Sequence, residues 1–263
     1  MASLVVTFRQ HPRQVLQQDY IPKLLTTGDR KEQLLKATGV DYVAMLDFSL
    51  QMANLSARQF MSFLRDRYNV RRLVIGYDNR FGHNREETFE DYRRYGTELG
   101  IVVEEAKAFA DGDVTVSSSV IRRLLAGGDI TAANACLGRR YGFSGTVEHG
   151  FGEGHKLGFP TANLRLAAEQ LVPRNGVYAV TVSVEGIDGE YMGMMNIGNR
   201  PTFGSFSDTV EVNIIGLDAD IYGRRVDVTF TDRIRDGRKF GSVGQLQAQL
   251  ALDRDAAIKI LKQ

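Results

Sequence analysis

The hydrophobic pattern divides the chain into two parts. Leu4-Val5-Val6-Thr7-Phe8 is continuous, apolar and β-branched, the signature of a buried strand. A helical period follows over Lys31 to Thr38, with Gly39 placed to end it, and a second strand runs from Asp41 to Phe48. Ser56 is a good N-cap for a helix to about Tyr68 that would bury Phe60, Phe63 and Leu64. Leu73-Val74-Ile75 is a short strand ending at Gly76, Glu86 to Leu99 a polar helix closed by Gly100, and Ile101 to Glu104 another strand. Strands alternating with helices predict a parallel sheet with helices on its faces.

The pattern changes after about Leu125. Gly127-Gly128 breaks the chain, and Asp129 can cap a short helix at 130–137. Beyond Tyr141 the signals are strand and turn, over 141–149, 176–185, 189–197, 208–214 and 225–230, which predicts a small antiparallel barrel. In Ser242 to Lys262 the spacing of Val243, Leu246, Leu250, Ala257, Ile258 and Leu261 fits a helix laid against that barrel. The expected organisation is an α/β domain over 1–125, a linker helix at 126–138 and a β domain over 139–263.

Composition adds little beyond exclusions. The 263 residues are 43% hydrophobic and 25% charged, ordinary for a globular protein. A net charge of +1 predicts no broad attraction to nucleic acid or a membrane surface, and leaves room for a local anion pocket. A single cysteine, Cys136, excludes an internal disulfide and suggests a reducing, cytoplasmic setting. A small core residue is the expected role for Cys136. No apolar run reaches the ~20 residues of a membrane helix, and no signal peptide is expected.

The stretch richest in chemistry runs from His149 to Asn163. Glycines at 150, 152, 154 and 158 remove side chains where backbone must approach something closely, and successive N–H groups there can cradle an anion, with Lys156 adding charge. A flexible hairpin loop explains glycine spacing equally well. Pro160-Thr161-Ala162-Asn163 then stiffens the exit. In extended backbone Thr161 and Asn163 project to one face. A hydroxyl beside an amide oxygen suits a hard cation such as Mg²⁺ that also holds phosphate oxygens. In Thr209 to Ile215, Val210, Val212 and Ile214 alternate with Thr209, Glu211 and Asn213, so Glu211 sits mid-strand on the polar face. It reads as a solvated strand residue or as a general base toward a hydroxyl.

These segments, with Gly145-Thr146-Val147, Asn175-Gly176-Val177-Tyr178, the run Asn196 to Phe203, Ile221-Tyr222-Gly223, Ile234-Arg235 and Lys239-Phe240, resemble riboflavin kinase of the bacterial bifunctional riboflavin kinase/FAD synthetase family. The resemblance implies a six-stranded antiparallel barrel with a C-terminal helix that phosphorylates riboflavin to FMN, with ATP as co-substrate and Mg²⁺. It assigns Thr161 and Asn163 to the metal and ATP phosphate, and Gly150, Gly152, Gly154, Lys156 and Gly158 to the nucleotide loop. Glu211 becomes the base, and Asn196, Arg235 and Phe240 fall in the flavin pocket. His155 stands where the family often carries arginine. Riboflavin, FMN and ATP/ADP are then the partners; oligomeric state is not implied.

The first part resembles the family's FMN adenylyltransferase module, a Rossmann-like fold. Gly76-Tyr77-Asp78-Asn79-Arg80-Phe81-Gly82 matches one of its loops, with Asn79 where phenylalanine is usual, and Val116 to Arg122 matches its Ser/Thr-rich Ile-Arg element. There Ser118, Ser119 and Arg122 would meet phosphate at a helix start, beside Asp78. The family's first strand and Gly-Val-His-x-Gly-His loop have no counterpart; the histidines are His11, His83, His149 and His155. The expectation is a riboflavin kinase without FAD synthesis, with exposed apolar surface beside Val5 and Val6. The alternatives are a complete bifunctional enzyme whose start lies further upstream and a non-catalytic flavin-binding protein.

Overall fold

The computed structural model describes the chain except for residues 18, 77, 78, 84, 85, 108, 109, 112, 113, 151–153, 155, 156, 203 and 204. Its contacts divide it into two compact units, Met1–Pro22 with Glu32–Thr115, and Lys23–Lys31 with Val116–Gln263.

In the first unit, β1 (Leu4–Phe8) pairs in parallel with β2 (Tyr42–Leu46), and β3 (Arg72–Gly76) in parallel with β4 (Val102–Ala106). Val5 and Val6 are half-buried, while Val74 is 59% exposed. Between them stand α1 (Pro12–Leu16), α3 (Leu50–Ala53), α4 (Ala57–Tyr68) and α5 (Phe89–Leu99); α2 spans Gly28–Lys36. Ser56 caps α4 through a reciprocal box with Gln59. The buried face of α4 is Ala57, Met61 and Leu64. Phe60 and Phe63 are only half-buried, stacked on each other at 6.2 Å, because they lie one position off the 57–61–64 stripe. Helix α5 starts at Phe89, three residues later than Glu86, because Thr88 and Asp91 form its capping box. Ala57, Met61, Ile75, Tyr92, Leu99 and Ile101 form this unit's core.

The second unit is a closed six-stranded barrel in the order β10-β11-β8-β7-β12-β9, every neighbouring pair antiparallel. The strands are β7 (Gly142–Glu148), β8 (Ala162–Arg165), β9 (Gly176–Val184), β10 (Ile187–Thr202), β11 (Ser205–Ile214) and β12 (Arg225–Arg235); β5 (Ala110–Asp111) and β6 (Val114–Thr115) precede them as a short separate pair. Strict alternation builds the interior: Val210, Val212 and Ile214 from β11, Val226, Val228 and Phe230 from β12, and Tyr178, Val180 and Val182 from β9. The Phe230 ring meets Phe143 at 5.2 Å and Tyr178 at 5.4 Å, both edge-on.

Helices α6 (Ser118–Gly127) and α7 (Ile130–Leu137) join this same core through Ile121, Leu125, Ile130 and Ala133. For that reason the main segment of the second unit begins at Val116, ahead of the 125–138 boundary read from the change of pattern. Cys136 packs at the edge of the cluster and is unpaired. Helix α8 (Val243–Leu261), capped by Ser242, covers the outer face of β9 and β10, where Ala257 meets Ala179 and Met194. A barrel strand normally turns its outer face to water; α8 makes this stretch a second, smaller core.

Candidate active site

Alternation decides what the outer face of the barrel presents. The residues between the inward valines of β11 are Glu211 and Asn213, and register sets their neighbours. Glu211 pairs with Asn163 on β8 and with Asn196 on β10. Asn196 pairs with Val177 on β9, and Val177 with Arg235 on β12. Residues opposite each other on antiparallel strands share a face with Cα atoms about 4.5–5.5 Å apart. Asn163, Glu211, Asn196, Val177 and Arg235 therefore form one outward row over five strands.

Glu211, Asn196, Val177 and Arg235 of this row line a cavity of about 680 Å³. Gly154, Leu157, Phe159 and Thr161 form one wall, Leu246 and Leu250 of α8 another, and Asp236 to Phe240 a third. Its lining is mixed: apolar side chains such as Leu157, Met194, Ile197 and Leu246 alternate with polar and charged groups, among them Thr161, Asn196, Glu211, Asn213 and Arg235.

Two glycines fit against the Thr161–Asn163 pair. A Cβ on Gly150 would come within 2.0 Å of Asn163 Nδ2, and a Cβ on Gly154 within 2.9 Å of Thr161 Oγ1 and 2.4 Å of the Phe159 carbonyl oxygen. The Gly154 carbonyl accepts hydrogen bonds from Leu157 N (3.2 Å) and Phe159 N (2.9 Å), which closes the loop onto Pro160 and Thr161. Gly158 has φ +77°, with open space where a Cβ would be. Asn213, 6% exposed, donates from Nδ2 to the Pro160 carbonyl at 2.7 Å and pins the start of β8. A second cavity, of about 100 Å³, also borders Thr161, lined by Val147, Ala162, Ile214, Leu217, Ile221 and Tyr222. His149 stacks on Tyr222 with ring centroids 3.8 Å apart.

At the far end, Arg235 forks onto Asp253 of α8, with Nε 2.8 Å from Oδ1 and Nη2 2.6 Å from Oδ2. Arg233 donates to Asp236 at 2.6 Å and to the Asn175 carbonyl at 2.8 Å. The hydrogen bond from Arg233, with the charges of Arg233 and Arg174, holds the Asp236 carboxyl below the usual carboxylate range. Arg238 lies over the Phe240 ring at 4.7 Å.

Of the residues singled out from sequence, Gly154, Thr161, Glu211, Asn196, Arg235 and Phe240 share the larger cavity; Asn163 pairs with Glu211 across the strands, and Gly150 lies against Asn163. Gly152, Lys156, His155 and Asp78 lie outside the described residues. Ser118 and Ser119 are exposed in the first turn of α6, whose cap is Ser117, accepting from Val120 N. Arg122 donates its Nε to the Lys23 carbonyl at 3.0 Å. Sequence reasoning did not assign Asn213 or Asp253 to the site. For Asp253 a signal was present, an acid at the 246–250–253–257 stripe of an otherwise apolar helix face.

Comparison with known proteins decides the family. The riboflavin kinase family matches residues 137–261, and the FAD synthetase family residues 1–120. The bifunctional riboflavin kinase/FMN adenylyltransferase of Escherichia coli K12 is 36% identical over 95% of this chain and 80% of its own length, and that of Bacillus subtilis 168 is 34% identical over 97% and 81%. The chain belongs to this bifunctional riboflavin kinase/FMN adenylyltransferase family. Its barrel is a riboflavin kinase domain, and the preceding residues are of the FAD synthetase type. A crystal structure described as a macrolide-efflux protein from Streptococcus pneumoniae shares the fold, with a TM-score of 0.85 and 34% identity over 98% of this chain and 83% of that one. Among the described residues, no helix of the riboflavin kinase domain or of the rest of the chain is long and apolar enough to cross a membrane.

Proposed function

We propose that the outward row is where the γ-phosphoryl group of ATP is transferred to the terminal ribityl hydroxyl of riboflavin. The carrying observation is the register Asn163–Glu211–Asn196, with Thr161 on the wall of the same cavity. Two cavities meeting at Thr161 suit a two-substrate reaction. The larger offers Phe159, Phe240 and aliphatic side chains against which an isoalloxazine ring can pack, and Gly150 and Gly154 lie against Asn163 and Thr161, where ATP phosphates would be held.

The donor set fits a magnesium ion. Thr161 supplies a hydroxyl and Asn163 an amide oxygen, both hard oxygen ligands, and Gly150 and Gly154 leave no Cβ to fill the space against them. No cluster of three or more His, Cys, Asp or Glu able to hold a metal occurs among the described residues, so phosphate oxygens and water would complete the shell. When bound, the ion would neutralise phosphate charge as it develops.

The protein's own task is position and one proton. The cavity walls hold the flavin so that its side-chain hydroxyl reaches the row. Glu211 accepts the hydroxyl proton as the oxygen bonds to phosphorus. The bond from that phosphorus to the bridging oxygen of ADP breaks, and ADP leaves with the electron pair. Asn196, next in the row, orients the hydroxyl, and Asn213 keeps Thr161 in place through Pro160. The test is FMN formation from riboflavin and ATP across a magnesium titration, in wild type and in Thr161→Ala and Asn163→Ala. Each substitution is expected to raise the KM for ATP and the magnesium requirement by roughly tenfold or more, as for a lost charge-assisted contact. Unchanged ATP and magnesium dependence in both would overturn the assignment.

A further inference from the structure

Asp253 is one of three buried polar or charged residues noted among the described residues, at 1% exposure, and it has no part in the phosphoryl transfer set out above. Isolated burial of a carboxylate is costly, so its partners explain why it is tolerated. Arg235 donates Nε to Oδ1 at 2.8 Å and to Oδ2 at 3.1 Å, and Nη2 to Oδ2 at 2.6 Å. Gln249, one helical turn earlier, donates Nε2 to Oδ1 at 2.7 Å. Arg235 Nη1 donates to the Asp236 carbonyl at 2.8 Å. An arginine has five N–H donors in a rigid fork. Asp253 and Asp236 occupy Nε–H and one hydrogen on each terminal nitrogen. Two N–H groups remain, on a side chain that lines the larger cavity at the end of the Glu211 row.

This arrangement fixes three things at once. It ties α8 to the last strand of the barrel, sets the start of the segment Asp236 to Phe240, and holds the Arg235 fork in one rotamer beside the cavity. Asp253 also occupies the α8 stripe between Leu250 and Ala257, and replacing a buried ion pair as a whole by packed apolar side chains is often neutral or stabilising. A carboxylate there is an expense for stability alone and a gain for geometry. We propose that Asp253 is a positioning residue for the flavin substrate: by locking Arg235 and α8 it sets the shape of the flavin end of the cavity, at a distance from the phosphate end. The inference rests on the riboflavin kinase reading of that cavity.

The test is a steady-state comparison of wild type, Asp253→Asn and Arg235→Lys, with riboflavin and ATP varied in turn, and riboflavin binding followed by fluorescence quenching without nucleotide. Asp253→Asn should raise the KM for riboflavin and weaken its binding by roughly tenfold or more, the size of a lost charge-assisted hydrogen bond. The KM for ATP and kcat should move less than about threefold, a split that general loosening would not produce. Arg235→Lys should give a similar shift, and the double variant little more than either alone. An unchanged riboflavin KM in Asp253→Asn, or equal losses toward both substrates, would overturn the proposal. If Asp253→Asn does not fold, Gln249→Ala decides. A shift confined to riboflavin, about threefold, supports the proposal, and none refutes it. A wild-type chain that binds riboflavin without forming FMN would sink the kinase reading while leaving the binding arm intact.

Discussion

Replacing Gly154 by alanine tests how closely the glycine loop must seat on the Thr161–Asn163 pair. The added Cβ would stand 2.4 Å from the Phe159 carbonyl oxygen and 2.9 Å from Thr161 Oγ1. Ordinary contact begins near 3.4 Å, so the backbone contact falls short by about 1 Å. The obstacle is a carbonyl, which no rotamer change removes. Either the loop lifts or Thr161 is displaced. Misplacing a reacting group by 1 Å costs on the order of 10²-fold in rate, equivalent to about 2.7 kcal/mol of transition-state stabilisation. Gly154→Ala should therefore lower kcat/KM for FMN formation about 10²-fold. The thermal unfolding midpoint should barely move, because no core side chain is altered. Gly244→Ala is the control. It lies in the first turn of α8 with open space around it, and alanine there should leave turnover intact. Initial rates by fluorescence-detected chromatography, with a far-ultraviolet melt of each variant, measure both quantities. Wild-type kcat/KM in Gly154→Ala would refute the reasoning, since the loop would then tolerate a displacement that the site geometry forbids.

Two further predictions concern stability. Phe230 is fully buried between Tyr178 and Phe143, so Phe230→Ala should destabilise the barrel by about 3–5 kcal/mol in urea unfolding; a loss under ~1 kcal/mol would mean that the barrel core collapses around the gap. Burial holds the Tyr141 hydroxyl protonated well above the ordinary tyrosine range while it accepts from Gln170 and donates to the Leu171 carbonyl. The unfolded phenol ionises near pH 10 and the folded one does not, so stability is complete below about pH 10 and falls as pH rises beyond it. Tyr141→Phe should flatten that alkaline decline, and an unaltered slope in denaturation midpoints between pH 9 and about 11 would contradict it.

Much of the architecture was legible where one period governs a segment. The 2-residue alternation of Val210, Val212 and Ile214 announced β11, and with it the outward placement of Glu211. Ser56 and Asp129 each cap the helix expected of them. Strand β8 was harder to see because only Ala162 to Arg165 are in it, too few for a period to register. Strand β12 runs five residues past its expected end because bulges between Phe230 and Asp232, and between Arg233 and Arg235, break the alternation. In α4 two phenylalanines outweighed Ala57 and Met61 as core candidates, yet the geometry of the stripe favoured the smaller residues. The site was legible as a set of residue types. Its tie to the fold was not, since the pairing of Asp253 with Arg235 joins a helix to a strand across 18 residues and depends on tertiary contact alone.

Phosphoryl transfer at this site requires a carboxylate that takes a hydroxyl proton beside a hydroxyl and amide pair. Rapid-quench measurement of FMN formed from riboflavin, ATP and magnesium, in wild type and Glu211→Gln, tests that most directly. The expected result is FMN from the wild-type chain and a rate lower by about 10²-fold or more in the variant, with riboflavin binding retained. Wild-type chemistry in Glu211→Gln would contradict it.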